Sequence, residues 1–189
     1  MKKNTKTLAH IAIFAALNYA VFSYGKIDIP LTGGSSVAIH VANAVVVVSA
    51  LLLGPVEGGI AGAVGLSIAD LLDPRYVTSA PKTFLLKFCI GWISGTLAKK
   101  MHVSKEKDTK KAVLNTALCA AAGLGFNVIF DPIIGYLFQR FILGLEADAA
   151  AIFLTWSGGV TAFNAIICIF VAVLLYMALR KPLANINKN

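Results

Sequence analysis

The residues of this sequence best equipped for chemistry lie in or beside apolar runs. His40, Asn43, Lys87, Asn127 and Asp131 place donors, acceptors and charges among Val, Leu, Ile and Ala, and Tyr76, Lys82 and Trp156 stand close to the ends of such runs. An ionisable or amide side chain in nonpolar surroundings is costly unless it pairs or faces a cavity filled by water or ligand. Together these types suit the holding of a small polar molecule, with hydrogen bonds at its edge and an aromatic ring on its face. They do not form a bond-breaking set. No GxxxxGK[ST], HExxH or GxSxG occurs, which excludes a P-loop ATPase, a zinc peptidase of that type and a nucleophile elbow. Cys89, Cys119 and Cys168 lie in apolar segments without CxxC spacing or a His at ligand spacing, so they read as small hydrophobes rather than disulfides or a metal site. No cofactor is expected in the chain itself.

The elements that position these residues follow from composition. Of 189 residues, 58% are hydrophobic and 14% charged, against about 25% charged in soluble domains. Mean hydropathy is +0.78. That leaves too little polar surface to coat a soluble globule, and the chain reads as a single all-α membrane domain over 1–189. Charge-poor runs mark six spans: 8–24, 37–54, 58–72, 81–98, 112–130 and 149–179. The third is short; at 1.5 Å per residue it covers about 22 Å of a hydrocarbon core of about 30 Å, so its neighbours must shield it. Pro132 should kink or end the fifth span, because it lacks an amide hydrogen and clashes with the carbonyl of residue 128.

The formal charge of +8 is topological. All Lys and Arg except Lys26, Arg75, Lys82, Lys87 and Arg140 fall in the N-terminal tail, the 99–111 connection or the C-terminal tail. This distribution predicts cytoplasmic termini by the positive-inside rule. No aromatic residues interleave with these charges, which argues against nucleic acid. The outward connections are then 25–36, 73–80 and 143–148.

With that topology, His40, Asn43, Lys87, Asn127, Asp131 and Trp156 all lie in the outer half of the membrane, with Asp70 beside them. The inner halves read VVVVSALLL, GGIAGAVG and CIFVAVLLYMAL. A channel needs polar groups on both sides of the midplane, so the pattern describes a pocket open outward and closed below. Lys87 and Asp131 are either each other's partners or ligand contacts; Asp70 either caps its helix or joins the pocket. His40 and Asn43, three apart, share one helical face and serve either an interhelical hydrogen bond or a ligand. Tyr76 and Trp156 either stack on a planar ligand or anchor at the interface, and Trp92, deeper, packs.

Small residues recur at four-residue spacing in Ala12 to Ala16, Gly58 to Gly62 and Gly91 to Gly95, which lets helix backbones approach closely. The AxxxA of the first span, the LLLGPVEGGIAGAVG junction, the SAPKTFLLK stretch and the helical tail ending in Arg180 make the chain resemble the substrate-binding S components of energy-coupling factor (ECF) vitamin transporters. The resemblance implies a six-helix subunit of a bacterial cell membrane. It captures a water-soluble vitamin from outside and works with a transmembrane coupling protein and two ATPases, which use the ATP. It also implies that Ala12 and Ala16 meet the coupling protein, that the loops around Thr32 to Ser36 and Arg75 to Ser79 cover the ligand, and that the whole subunit topples to deliver it. Asp131 and Asn127 with an aromatic face suit a hydroxymethylpyrimidine or pyridoxine-like ring; Lys82, Lys87 and Arg75 suit a carboxylate such as pantothenate; riboflavin needs a larger slot. The small ring is favoured, because Asp73 and Asp131 stand near the cations. A self-sufficient secondary transporter and a membrane scaffold are the competing classes.

Overall fold

The computed structural model describes residues 5–31 and 34–186, with side chains to Arg180. Thr32, in the proposed ligand-covering loop, and the tail charges Lys2, Lys3 and Lys188 lie outside the described residues. Six helices carry the chain: α1 Thr5–Gly25, α2 Ala42–Leu53, α3 Pro55–Leu71, α4 Ala80–Lys100, α5 Thr109–Leu137 and α6 Ala147–Ile186. Three of them, α1, α5 and α6, are long and apolar enough to cross a membrane. The protein is thus an all-α membrane fold, as composition predicts.

Two features depart from the predicted spans. Residues 37–39 do not begin α2; they belong to β2, Ser36–Ile39, which pairs antiparallel with β1, Ile27–Pro30, with Ile27 opposite Ile39 and Pro30 opposite Ser36. The Asn164 side chain of α6 fixes this hairpin, its Nδ2 donating to the Ala38 carbonyl at 2.9 Å while its Oδ1 accepts from the His40 amide at 3.2 Å. His40 therefore precedes α2 and shares no helical face with Asn43. The second departure is α5, which does not end at Pro132 but runs on to Leu137 and into a π-helical turn, Phe138–Ile142. Neighbouring helices make such a proline tolerable within a membrane.

Close helix packing explains how the short α3 is housed. It begins with Pro55 at its first turn, a position where the missing amide hydrogen costs nothing. Gly54 before it has φ of 107°, a conformation that L side chains rarely adopt. A Cβ on Gly58 would strike the backbone of Ala50 in α2, one on Gly65 the backbone of Ala15 in α1, and one on Gly91 of α4 the backbone of Gly59. The glycines thus set helix separation on three sides of α3. Replacing Gly58 by alanine should cost about 1–3 kcal/mol through overpacking, whereas Gly125→Ala, where the added carbon meets nothing within 4 Å, should be neutral. Thermal unfolding in detergent reads the difference.

Candidate substrate-binding site

Beneath the hairpin lies a polar cavity of about 90 Å³. Each wall comes from a different element: Phe22 from α1, Val37 and Ala38 from β2, Asp70 from α3, Lys82, Thr83 and Lys87 from α4, Asp131 from α5, and Phe153 and Ser157 from α6, with His40 and Tyr76 from the connections. The fold therefore gathers residues up to more than a hundred positions apart in sequence.

The charges are arranged in two layers. Lys82 Nζ lies 2.9 Å from Asp131 Oδ1, and both side chains are nearly buried. The second carboxylate oxygen of Asp131 accepts from Ser157 at 3.2 Å and Thr161 at 3.1 Å. Three of the roughly four acceptor sites of the Asp131 carboxylate are thereby engaged, and Lys87 is not its salt-bridge partner. Instead the Lys87 ammonium donates to Asn127 Oδ1 at 3.3 Å. Asp70 does more than cap its helix: it is buried, lines the cavity and accepts from Thr83 Oγ1 at 2.6 Å. His40 is set edge-on to Phe22, with centroids 4.9 Å apart, and its Nδ1 has no partner among the described residues.

Of the sequence-predicted residues, His40, Tyr76, Lys82, Lys87 and Asp131 line the cavity. Asn127 stands behind Lys87 and holds it. Asn43 is buried in the first turn of α2, with Oδ1 unpartnered among the described residues, and does not line the cavity. Trp156 is half-exposed and turns away, into a separate apolar groove with Ile29, Ile39 and Phe163. That groove is the larger, about 400 Å³, yet it carries no charged group to recognise a polar molecule. Trp92, expected to pack, is also half-exposed on α4. Sequence reasoning missed Phe22, Phe153, Thr83 and Ser157 as wall residues.

Over the cavity, an ionic cluster joins the hairpin to the 73–80 connection. Lys26 Nζ contacts Asp73 at 2.5 Å and Asp28 at 3.7 Å, while the Arg75 guanidinium contacts Asp28 at 2.5 Å and Asp73 at 2.8 Å. Tyr76 donates its hydroxyl to Asp28 at 2.7 Å, and Lys26 stands over its ring, 4.2 Å from the centroid. Hydrogen bonds from Arg75 hold the Asp73 carboxyl well below the usual carboxylate range, against some burial, with Lys26 adding to the effect. Burial, then the bond to Asp28, pushes the Tyr76 phenol up. The sign follows directly: a depressed carboxylate contributes stability above its ordinary value of about 3.9 and loses it only as pH falls through the lower, folded value. Protection of the 26–31, 34–39 and 73–80 amides against hydrogen exchange should therefore be level from about pH 5 to 9. Asp73→Asn should speed ligand release about tenfold, the effect of losing one charge-assisted contact of roughly 1.5 kcal/mol.

Among the described residues no group of three or more His, Cys, Asp or Glu forms a metal site, and Cys119 and Cys168 are buried free thiols. Leu66 of the lining belongs to a hydrophobic core with Val46, Val47, Ile90 and Leu124, all almost wholly buried. The arrangement offers hydrogen-bonding groups and aromatic surface to a small polar molecule.

Comparison with known proteins agrees. A sequence-family model described as the S component of an ECF-type riboflavin transporter matches residues 2–181. No curated protein matches. A solved structure, described as the S component of a bacterial ECF transporter, shares the fold with a TM-score of 0.65 at 18% identity, covering 98% of this chain and 99% of that one. The chain belongs to the family of ECF-type riboflavin transporter S components, and is accordingly a membrane-embedded substrate-binding subunit rather than an enzyme.

Proposed function

We propose that this subunit captures a compact heteroaromatic vitamin or precursor, of the hydroxymethylpyrimidine or pyridoxine kind, at the outer face of a bacterial cell membrane. The observation that carries this reading is the composition of the cavity. Phe22, Tyr76 and Phe153 supply aromatic surface, while Lys87, His40, Asp70 and Thr83 supply donors and acceptors to the edge of a ring. Lys82 and Arg75 are already matched by carboxylates, which argues against a carboxylate ligand such as pantothenate. The cavity is also small beside the roughly 300–1,000 Å³ of common ligand pockets, and so suits one ring. Riboflavin is the second reading, favoured by the description of the matching family; it requires the roof to open further.

Release on the cytoplasmic side is opposed by the hydrophobic core that Leu66 of the lining joins. The substrate is delivered by movement of the whole subunit, driven through a transmembrane coupling protein by two ATPases. Ala12 and Ala16 are exposed on α1, whose buried residues are Ala15, Asn18 and Phe22. The small side chains thus face away from the bundle, where a partner helix docks. In proteoliposomes, labelled pyridoxine or hydroxymethylpyrimidine should accumulate only with the coupling protein, both ATPases and ATP. Accumulation by the lone chain along an ion gradient would contradict the proposal and favour a secondary transporter.

A further inference from the structure

Four charged side chains line the main cavity: Lys82, Lys87, Asp70 and Asp131. Lys82 and Asp131 neutralise each other as a nearly buried pair. The other two are held by neutral groups, Lys87 by the Asn127 amide oxygen and Asp70 by the Thr83 hydroxyl. Among the described residues neither forms an ion pair, with the other or with any third group. An ammonium carries three donors and a carboxylate roughly four acceptor sites, so both keep unused bonding capacity. Charge left unpaired in such burial is costly: Lys87 is 8% exposed and Asp70 3%.

Both charged ends stand at the cavity. The Lys87 ammonium acts electrostatically on Asp70, Asp131 and His40. These three lining residues come from α3, α5 and the connection before α2, which places the ammonium among them. Fully covered side-chain oxygens and nitrogens without a partner occur, among the described residues, at Asn18, His40, Asn43, Ser94 and Gln139. Asp70 Oδ1 has no hydrogen bond either and is not one of them, so it keeps accessible surface, in a residue that lines this space.

The charges of the lining sum to zero. A net anion would satisfy Lys87 and be repelled by Asp70, and a net cation would do the reverse. A neutral molecule carrying both signs satisfies both. We infer that the substrate is a dipolar, net-neutral ring, with an anionic ring oxygen accepting from Lys87 and a protonated ring nitrogen donating to Asp70. The inference rests on the ring reading of the cavity and narrows it. A 3-hydroxypyridine such as pyridoxine carries these two poles in neutral water, as phenolate and pyridinium. Hydroxymethylpyrimidine has no anionic oxygen to offer.

Calorimetry on the purified full chain tests this with four probes: pyridoxine, 3-deoxypyridoxine, the phenol in which carbon replaces the ring nitrogen of pyridoxine, and hydroxymethylpyrimidine. The wild type should bind pyridoxine about tenfold or more tightly than each of the others, the effect of one charge-assisted hydrogen bond. Lys87→Met removes the ammonium at similar length; it should bring pyridoxine down to the level of 3-deoxypyridoxine and leave the 3-deoxy affinity unchanged. That unchanged affinity also reports a folded protein. Asp70→Asn should remove the preference for pyridoxine over the carbon analogue, and it carries the test if Lys87→Met does not fold. Equal binding of all probes by the wild type, tighter binding of hydroxymethylpyrimidine than of pyridoxine, or a preference that survives both variants overturns the dipolar inference and leaves the ring reading standing. Failure of all four compounds to bind the wild type overturns the ring reading, and the inference with it.

Discussion

Replacing Asp131 by alanine should abolish substrate binding and destabilise the protein together. Asp131 accepts from Lys82, Ser157 and Thr161, so it ties α4, α5 and α6 into one wall of the cavity. Its removal leaves Lys82 without a counter-charge in a nearly buried position, a loss of about 3–5 kcal/mol when one partner of a buried pair is taken away. Ligand affinity should fall at least about 100-fold, equivalent to some 2.7 kcal/mol. The double variant Lys82→Met with Asp131→Leu separates the two effects. Because an apolar pair of similar volume is often as stable as the ion pair it replaces, thermal stability should return while binding stays lost. Recovery of both would show that the pair only supports the fold.

The second large effect concerns α1. Ala12→Trp combined with Ala16→Trp should reduce ATP-dependent uptake in the reconstituted complex by about 100-fold or more, and leave the affinity of the isolated subunit unchanged. The reason is geometric: small residues at this spacing permit close helix contact, both positions are exposed, and neither touches the cavity. Uptake that survives both substitutions would remove α1 as the docking face. A parallel loss of ligand affinity would instead mean that the substitutions disturb the bundle.

These expectations draw on features that differ in how far the sequence reveals them. The helices were legible because an apolar run bounded by charges has one economical structure in a membrane. Proximity was partly legible: of the polar residues that counting along the spans sets at one level, Lys87, His40 and Asp131 line one cavity. Rotation about the helix axis was not. Trp156, next to the cavity-lining Ser157, turns outward, since its direction depends on where α5 and the hairpin pack. Pairing was illegible for the same reason. Lys82 and Lys87 lie five residues apart on α4, and only the azimuth of α5 decides that Asp131 meets the first and Asn127 the second. The hairpin left little trace, because β2 is four residues long and runs straight into the Val-rich run of α2. Its anchor, Asn164, is separated from Ala38 by 126 positions. The Lys26, Asp28, Asp73 and Arg75 cluster was half-visible, as charges in two connections between spans, but nothing local said that they meet.

The most direct measurement of the central claim is to purify the subunit alone in detergent, denature it, and identify any released small molecule by mass spectrometry. The account predicts a near-stoichiometric, hydroxylated heteroaromatic compound of vitamin type, lost in the Asp131→Ala protein. A clean subunit whose thermal stability is also unmoved by pyridoxine, hydroxymethylpyrimidine, riboflavin and pantothenate would contradict it.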